Sequence, residues 1–461
     1  MKSSARTIES LGADRSHALH RSLHHDYPIA VGGKGAWLFD ARGRRYLDGS
    51  GGAAVSSLGH GHPRLIDAVR EQAARLAFAH TAFFTNEPME RLAARLAAAA
   101  PGDLERVLFV SGGSEAVEAA VKLALQYHAE HGEPARTHVI ARRRSYHGAT
   151  LRALALGDSL WRQEPFRPAL ARIAHVAPCY AYREQQTEES DAEYAARAAA
   201  SLEAEILAIG PERVAAFIAE PVVGATAGAV PPVADYLQRV REICDRHGVL
   251  LILDEVMCGM GRTGSLFACE QEGVIPDLMT LGKGLGAGYQ PIGALMVRES
   301  LYRVIAEGSG SFRHGHTYMG HPVACAAGNA VLDVIEEDKL LPRVRWAGER
   351  LRQLLEECFA SHPHVGDIRG RGLLIGIELV ENRADKTPFA PERAVHRQVM
   401  RAGMAEGLIC YPAGGTIDGR RGDHILLAPP FIVSDDEIEE LVQRLVRTLD
   451  RVFLAPRQKA G

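Results

Sequence analysis

The chain has 461 residues, of which 46% are hydrophobic and 24% are charged, and its formal net charge is −4. This composition is typical of a globular protein with a sizeable core and two or three domains. The small negative charge offers no basic surface for nucleic acid, and no stretch approaches the roughly 18 uncharged apolar residues of a membrane span. We therefore expect neither a nucleic-acid partner nor a membrane partner.

The N-terminus and the cysteines predict the compartment. The segment MKSSARTIESLGADRSHALHRSL is polar and lacks an apolar core of signal-peptide length. The seven cysteines form no CxxC pair, and an odd number argues against a disulfide framework. We therefore expect reduced cysteines and a cytoplasmic location.

In chain order, the first patterned segment is GAWLFDARGRRYLDGS, which predicts two short strands around a turn at residues 41–43. Short apolar runs then alternate with helical patterns. The apolar runs lie at 106–110, 137–142, 214–220, 249–255 and 277–282, and helical patterns include the alanine-rich segments 92–100 and 195–207, the stretch that Gly132 closes, and residues 234–248. This alternation predicts an α/β fold with a mostly parallel sheet covered by helices on both faces. In such sheets ligands bind at the carboxyl ends of the strands, which here carry Ser111, Glu220 and Asp254.

The C-terminal part has a different pattern. From about residue 330 the sequence predicts two helices, the strand LLIGIELV and a long helix after residue 390, and Ser434 and Glu437 form a capping box for the last helix. This α+β pattern predicts a second, smaller domain made from both chain ends. We place its N-terminal part at residues 1–70 and its C-terminal part at 330–461, with the large domain at 71–329.

Lys283 lies just past a predicted strand in the glycine-rich segment TLGKGLGAGYQPIGA. A lysine among small residues can approach a ligand closely, and desolvation lowers its pKa enough to make it a nucleophile. A structural lysine in a glycine loop is the plain alternative. A P-loop is a second alternative, but Gly284 stands where that motif requires Ser or Thr.

Asp254 favours the functional interpretation of Lys283. The two residues are 29 positions apart, which fits a strand end, a connecting segment and the next strand along the same edge of the sheet. A lysine that forms a Schiff base, together with an acidic partner for a pyridinium nitrogen, is the pattern of pyridoxal phosphate sites. A salt-bridged aspartate at a strand end is the alternative for Asp254 alone. The pair predicts pyridoxal 5′-phosphate as the cofactor.

The segment FVSGGSEAVEAA supplies a candidate phosphate site. A strand, a glycine turn and a helix start present backbone N–H groups and the positive end of the helix dipole to an anion. Gly112, Gly113 and Ser114 would contact the phosphate. A Gly-Ser helix start is also common without any ligand.

These residues also carry a resemblance to a known family. The segments SGGSEAVEAA, SYHGAT, EPVVG, LILDEVMCGMGRTG, TLGKGLGAG and HTYMGHPVACAA occur in the order that resembles the class III aminotransferases, pyridoxal-phosphate enzymes of fold type I. The match covers roughly residues 28–450, and the block DEV…GRTG…D…GKG is highly specific. The resemblance implies a large domain with a mostly parallel, seven-stranded sheet and a smaller α+β domain.

The resemblance also implies roles for individual residues. Tyr146 matches the aromatic residue that stacks on the cofactor ring, with His147 beside it, and Val256 matches the β-branched residue on the opposite face. Glu220 matches an acidic position on the substrate side of the ring. Thr317 matches a residue that bonds the phosphate in the neighbouring subunit, which implies a homodimer with shared active sites, or a tetramer built from it. His60, His62, His314, His316 and His321 fall in ordinary family sequence, so we expect no metal.

The implied reaction moves an amino group by a ping-pong Schiff-base mechanism. Lys283 holds the cofactor until an amine displaces it, and the freed lysine then moves the Cα proton as a general base. The partners are therefore a small-molecule amine donor and a keto acid acceptor.

Several positions indicate the ω-aminotransferases that use pyruvate. Met257 and the segment GDHILLAPPFIVSDDEI look like that group. Candidate pocket residues are Ala53, Ala54, Phe83, Phe84 and Ala225; Ala53 and Ala54 replace a Leu-Trp pair, and core packing is the alternative for either phenylalanine. The position of the group's mobile carboxylate-binding arginine is taken by Tyr411, and Arg420 or Arg421 could do its work.

Two other functions stay open at this point. An aminomutase or racemase of the same fold would keep Lys283 and Asp254 but would need no external keto acid. A non-catalytic pyridoxal-phosphate-binding regulator is disfavoured by the intact Lys283 and by an N-terminal segment too short for a helix-turn-helix.

Overall fold

The computed structural model describes residues 10–11 and 16–454. Its strands form one seven-stranded sheet, two four-stranded sheets and one two-stranded sheet. The strands are β1 (Ser10–Leu11), β2 (Tyr27–Pro28), β3 (Ala30–Lys34), β4 (Trp37–Asp40), β5 (Arg45–Asp48), β6 (Arg106–Val110), β7 (His138–Arg142), β8 (Ala174–Val176), β9 (Val214–Ala219), β10 (Leu250–Asp254), β11 (Leu278–Leu281), β12 (Gly293–Val297), β13 (Val365–Arg371), β14 (Leu374–Leu379), β15 (Leu408–Ile409), β16 (Tyr411–Gly414) and β17 (Asp423–Leu427).

Helices connect most of these strands. The α-helices are α1 (Gly51–Ala54), α2 (Pro63–Arg75), α3 (Glu87–Ala99), α4 (Gly113–Glu130), α5 (Leu151–Leu156), α6 (Leu160–Gln163), α7 (Ala181–Glu184), α8 (Asp191–Ile209), α9 (Tyr236–His247), α10 (Glu299–Glu307), α11 (Pro322–Glu337), α12 (Leu340–Phe359), α13 (Val395–Glu406) and α14 (Asp435–Phe453). Short 3₁₀ turns lie at Glu164–Ala169, Pro211–Arg213, Ala268–Glu272, Lys283–Leu285 and Pro391–Arg393. None of the helices in residues 16–454 combines the length and apolar character needed to cross a lipid bilayer.

The seven-stranded sheet has the order β6-β12-β11-β10-β9-β7-β8. Strand β12 alone runs antiparallel to its two neighbours, and every other pair is parallel. Alternate residues of β10 enter different cores: Leu251 and Leu253 pack in one hydrophobic cluster, and Leu250 and Ile252 pack in another. The sheet is therefore covered on both faces, which confirms the predicted mostly parallel α/β architecture.

A second hydrophobic core is built from both ends of the chain. Strand β15 pairs in parallel with β5, in a sheet of order β15-β5-β4-β3. Strands β13, β14, β17 and β16 form the other four-stranded sheet, and α14 begins at the predicted capping box of Ser434 and Glu437. The hairpin of β4 and β5 has its turn at residues 41–44, which contains the predicted turn at 41–43.

Two expectations for the C-terminal part need correction. The helix after residue 390 is shorter than expected, because Gly407 adopts a left-handed conformation with φ 72° and ends α13 after 12 residues. Of the strands after residue 330, the sequence predicts only β14; β13, β15, β16 and β17 are additional. Both proposed domain limits fall inside helices, at residue 70 within α2 and at residue 329 within α11, so the division stays a proposal. All seven cysteines are free, in agreement with the sequence.

Candidate active site

Asp254 is the last residue of β10, and its side chain is only 4% exposed. Its Oδ1 accepts hydrogen bonds from the Val256 backbone N–H and the Thr280 hydroxyl, each at 3.1 Å. Thr280 lies directly opposite Asp254 on the neighbouring parallel strand. The carboxylate is therefore held by its own turn and by β11, at the carboxyl edge of the sheet.

His147 contacts the other oxygen of this carboxylate. Its Nδ1 lies 2.7 Å from Asp254 Oδ2, and its ring is fully buried. Its Nε2 is also buried and has no hydrogen-bond partner among the described residues. The sequence places His147 beside the cofactor. In the structure its contact is with Asp254, so it fixes the carboxylate and leaves one buried polar atom unpaired.

Lys283 follows β11 by two residues and lies on the same edge of the sheet. Its backbone has φ 40°, a strained left-handed conformation for a non-glycine residue, which is typical of functional positions. Burial lowers the pKa of the Lys283 amine, and the nearby Asp254 and Glu220 carboxylates act in the opposite direction. The net shift favours the neutral amine, which is the form that acts as a nucleophile or a base.

The start of α4 has the features of an anion site. Its N-cap, Gly112, offers no side chain, so the first-turn N–H groups lack a side-chain cap. The Ser114 hydroxyl accepts a hydrogen bond from the Ala149 N–H at 3.0 Å, which leaves its own O–H free to donate. A Cβ at Gly113 would lie 2.6 Å from Val256 Cγ1, so glycine is required there. The predicted phosphate residues and Val256 are therefore neighbours.

Glu220 ties Tyr146 to this centre. The carboxyl is buried, and it accepts hydrogen bonds from the Tyr146 N–H at 3.1 Å and the Gly224 N–H at 2.8 Å. Burial raises the pKa of Glu220, and the Asp254 charge adds to this, while His147 and the two N–H groups oppose it. The backbone of Tyr146 is thus fixed beside the Asp254–Lys283 centre.

A cavity of about 940 Å³ opens beside Tyr146. Its lining includes Ala225 and residues 410–415 and 418–423, with Arg420 and Arg421. Four predicted site residues are therefore brought together here. Arg421 is already paired, because its Nε donates to Asp418 Oδ2 at 2.6 Å, and Arg420 is exposed.

The other predicted pocket residues do not line this cavity. Ala54 packs in a buried cluster with Met257, with Ala225 at its edge, and Ala53 is next to it. Phe83 and Phe84 are 80% and 66% exposed, which rules out core packing within this chain. Thr317 is exposed too. These exposed positions suit residues that act in a neighbouring subunit, which stays a proposal.

Sequence reasoning missed several residues of this region. Arg162 and Trp161 line the cavity, and Arg144 pairs there with Asp158. No motif marks the segment DSLWRQEPFRP, and only the fold brings it to Tyr146. In residues 16–454 no group of three or more His, Cys, Asp or Glu side chains is arranged to hold a metal ion.

Residues 21–449 match the family model of the class-III aminotransferases. The chain belongs to this family. It is 43% identical over 454 residues to an uncharacterised aminotransferase from Schizosaccharomyces pombe, which covers 97% of this chain and 99% of that relative. This aminotransferase also resembles an (S)-enantioselective omega-transaminase from Thermomicrobium roseum, at 36% identity and a TM-score of 0.89 over 96% of this chain and 97% of that one.

The cofactor follows from the family. An omega-transaminase from Pseudomonas jessenii, solved in complex with PMP, is 33% identical with a TM-score of 0.90 and covers 96% of this chain and 97% of its own. Class III aminotransferases depend on pyridoxal phosphate. The residues of this chain fit that group: a buried carboxylate for the ring nitrogen, a lysine of lowered pKa, and an uncapped helix start for the phosphate.

Proposed function

We propose that this aminotransferase moves an amino group from an amine or ω-amino acid to a keto acid, with pyruvate as the acceptor. The observation that carries the proposal is that the buried Asp254 and Lys283 lie at the same edge of the sheet, with Tyr146 held near them and lining a cavity. The likeness to omega-transaminases supports the substrate class.

The cofactor has a defined place among these residues. Lys283 would hold pyridoxal phosphate covalently through Nζ, Asp254 would face its ring nitrogen, and Gly112, Gly113 and Ser114 would bind its phosphate. Tyr146 and Val256 would contact the two faces of its ring. When bound, the group supplies an aldehyde that condenses with amines and a ring that accepts electron density from the substrate's Cα.

The protein's own groups then perform the proton transfers. Burial lowers the pKa of Lys283, so its Nζ, when it is not bound to the cofactor, would act as the base that takes the proton from the substrate Cα. Asp254 would face the ring nitrogen, with its orientation fixed by Thr280, Val256 and His147. Glu220 anchors the Tyr146 backbone and so the position of its ring.

The active site is proposed to be composite. Thr317, Phe83 and Phe84 are exposed in the single chain, and they would complete the phosphate site and the pocket of a second copy in a homodimer. We propose a cytoplasmic location for this dimer, since all seven cysteines are free.

A half-reaction experiment tests the function. The holoenzyme is mixed with single amines and ω-amino acids, and the visible absorption of the lysine-bound cofactor is followed. We expect a donor to remove the visible band and pyruvate to restore it, with release of the carbonyl product and of alanine. Turnover of an amine without any keto acid would instead indicate an aminomutase or racemase.

A further inference from the structure

The guanidinium group of Arg162, a residue that the sequence motifs do not mark, lies next to Tyr146. Arg162, on α6, has its Cζ 5.0 Å from the centroid of the Tyr146 ring and 4.3 Å from that of Trp161. Both distances are within the range of cation–π contacts, so the two rings hold the guanidinium in place. Arg162 itself is half-buried and lines the cavity beside Tyr146.

Five arginines line this cavity, and they differ in whether their guanidinium group already forms an ion pair. Arg144 is paired with Asp158, and Arg421 is paired with Asp418. Within residues 16–454, the guanidinium of Arg162 makes no ion pair and donates no hydrogen bond. Arg397 and Arg420 are exposed on the cavity rim. Arg162 is therefore the arginine whose guanidinium N–H groups are unpaired and whose position next to Tyr146 is restrained.

A planar guanidinium binds a carboxylate through two parallel hydrogen bonds. Arg421 would first have to leave Asp418, and an exposed Arg420 would lose side-chain entropy on being ordered. Arg162 meets neither cost, because it has no competing carboxylate and is already ordered by two aromatic rings. Arg162 and Tyr146 line the same cavity, which is the space that the proposed function offers to the substrate.

We infer that Arg162 is the residue that binds the carboxylate of the keto acid acceptor, in place of the predicted Arg420 or Arg421. The inference rests on the proposed function and deepens it. The enzyme would choose its acceptor by the carboxylate that Arg162 binds next to Tyr146.

The test compares two acceptors that differ in a carboxylate. The aminated enzyme is mixed with pyruvate or with propanal, and the specificity constant for return of the visible band is measured for each. Arg162→Leu keeps an apolar stem against the rings and removes the charge. We expect it to lower the pyruvate-to-propanal ratio ~10- to 100-fold, mainly through KM for pyruvate, since hydrogen bonds to charged groups have about this effect. Arg162→Lys retains the positive charge but cannot form two parallel hydrogen bonds. We therefore expect it to recover the pyruvate-to-propanal ratio in part.

Arg167→Leu is the matched control, because Arg167 is an exposed arginine in the adjacent turn and does not line the cavity. We expect its ratio to equal that of the wild type. Circular dichroism and retention of the visible band show that each variant is folded and loaded with cofactor.

Two results would overturn the inference while leaving the function intact. One is a wild-type ratio, within threefold, in Arg162→Leu. The other is a lowered pyruvate-to-propanal ratio in Arg420→Leu or Arg421→Leu but not in Arg162→Leu. Failure of the proposed function has a different signature: the aminated wild-type enzyme would be restored by no keto acid among pyruvate, glyoxylate and 2-oxoglutarate, which would overturn both.

Discussion

Replacement of Asp254 by Asn removes one charge at the centre of the site with almost no change of shape. The amide oxygen can still accept from the Val256 N–H and the Thr280 hydroxyl. The amide nitrogen then faces His147 Nδ1, which must become an acceptor and shift its proton to Nε2. That nitrogen is buried without a partner among the described residues, so the variant also carries an unpaired donor.

The magnitude follows from the burial of this carboxylate. Its side chain is 4% exposed, so water does not screen its charge. A hydrogen bond to a charged group contributes about 1.5–3 kcal/mol, so we expect Asp254→Asn to weaken pyridoxal phosphate binding ~10- to 100-fold. Loss of a preorganised charge at the reacting centre typically lowers kcat by about 10²- to 10³-fold, and we expect that here.

The assay has two parts. Cofactor affinity is measured by titrating the apoenzyme with pyridoxal phosphate, and the amine half-reaction is measured under single-turnover conditions. Asp48→Asn is the matched control, because Asp48 is also a buried carboxylate paired with a histidine, His60, at 3.1 Å. We expect that control to keep the wild-type cofactor affinity. Half-reaction rates within threefold of the wild type in Asp254→Asn would refute the role given to this charge.

Two further predictions concern the surroundings of the site. Burial raises the pKa of Glu255 from 4.5 to about 7. Between these two pH values the folded state keeps the Glu255 carboxyl protonated, whereas the unfolded state has lost that proton. The protonated carboxyl therefore contributes about 3 kcal/mol to the free energy of unfolding below pH 4.5, and this contribution is lost as the pH rises through 7. The free energy of unfolding, measured with urea at pH 5 and pH 8, should change less between the two pH values for Glu255→Gln than for the wild type. An equal change in both proteins would contradict the raised pKa of Glu255. Gly113→Ala should lower cofactor affinity and the melting temperature, because the new Cβ would lie 2.6 Å from Val256 Cγ1. Adding Val256→Ala should recover part of the lost melting temperature, and strictly additive losses of melting temperature in the double variant would contradict that steric cause.

The core of the site is predictable from sequence because local patterns determine it. The apolar run of β10 ends at Asp254, and the run of β11 ends two residues before Lys283. Parallel strands bring such ends to one edge, so spacing alone places the two residues together. The start of α4 follows from its glycine turn in the same way.

The remaining features depend on contacts between distant segments. The bond between His147 and Asp254 joins residues 107 positions apart, and nothing in the sequence near either one indicates it. Arg162 becomes relevant only because α6 packs next to Tyr146. Strand β13 has the sequence VGDIRGR, whose glycines and charged residues hide the apolar alternation that strand prediction needs.

The central claim is that Lys283 carries the cofactor, and one measurement tests it most directly. The purified holoenzyme is reduced with borohydride, digested and analysed by mass spectrometry, in parallel with Lys283→Ala and Lys339→Ala. Lys339 is a suitable control because it is an exposed lysine with the same left-handed backbone, φ 50°. We predict that the reduced cofactor is found on the Lys283 peptide of the wild type and of Lys339→Ala. Lys283→Ala should carry no label and show no turnover. A label on another lysine of the wild type, or wild-type turnover in Lys283→Ala, would contradict this account.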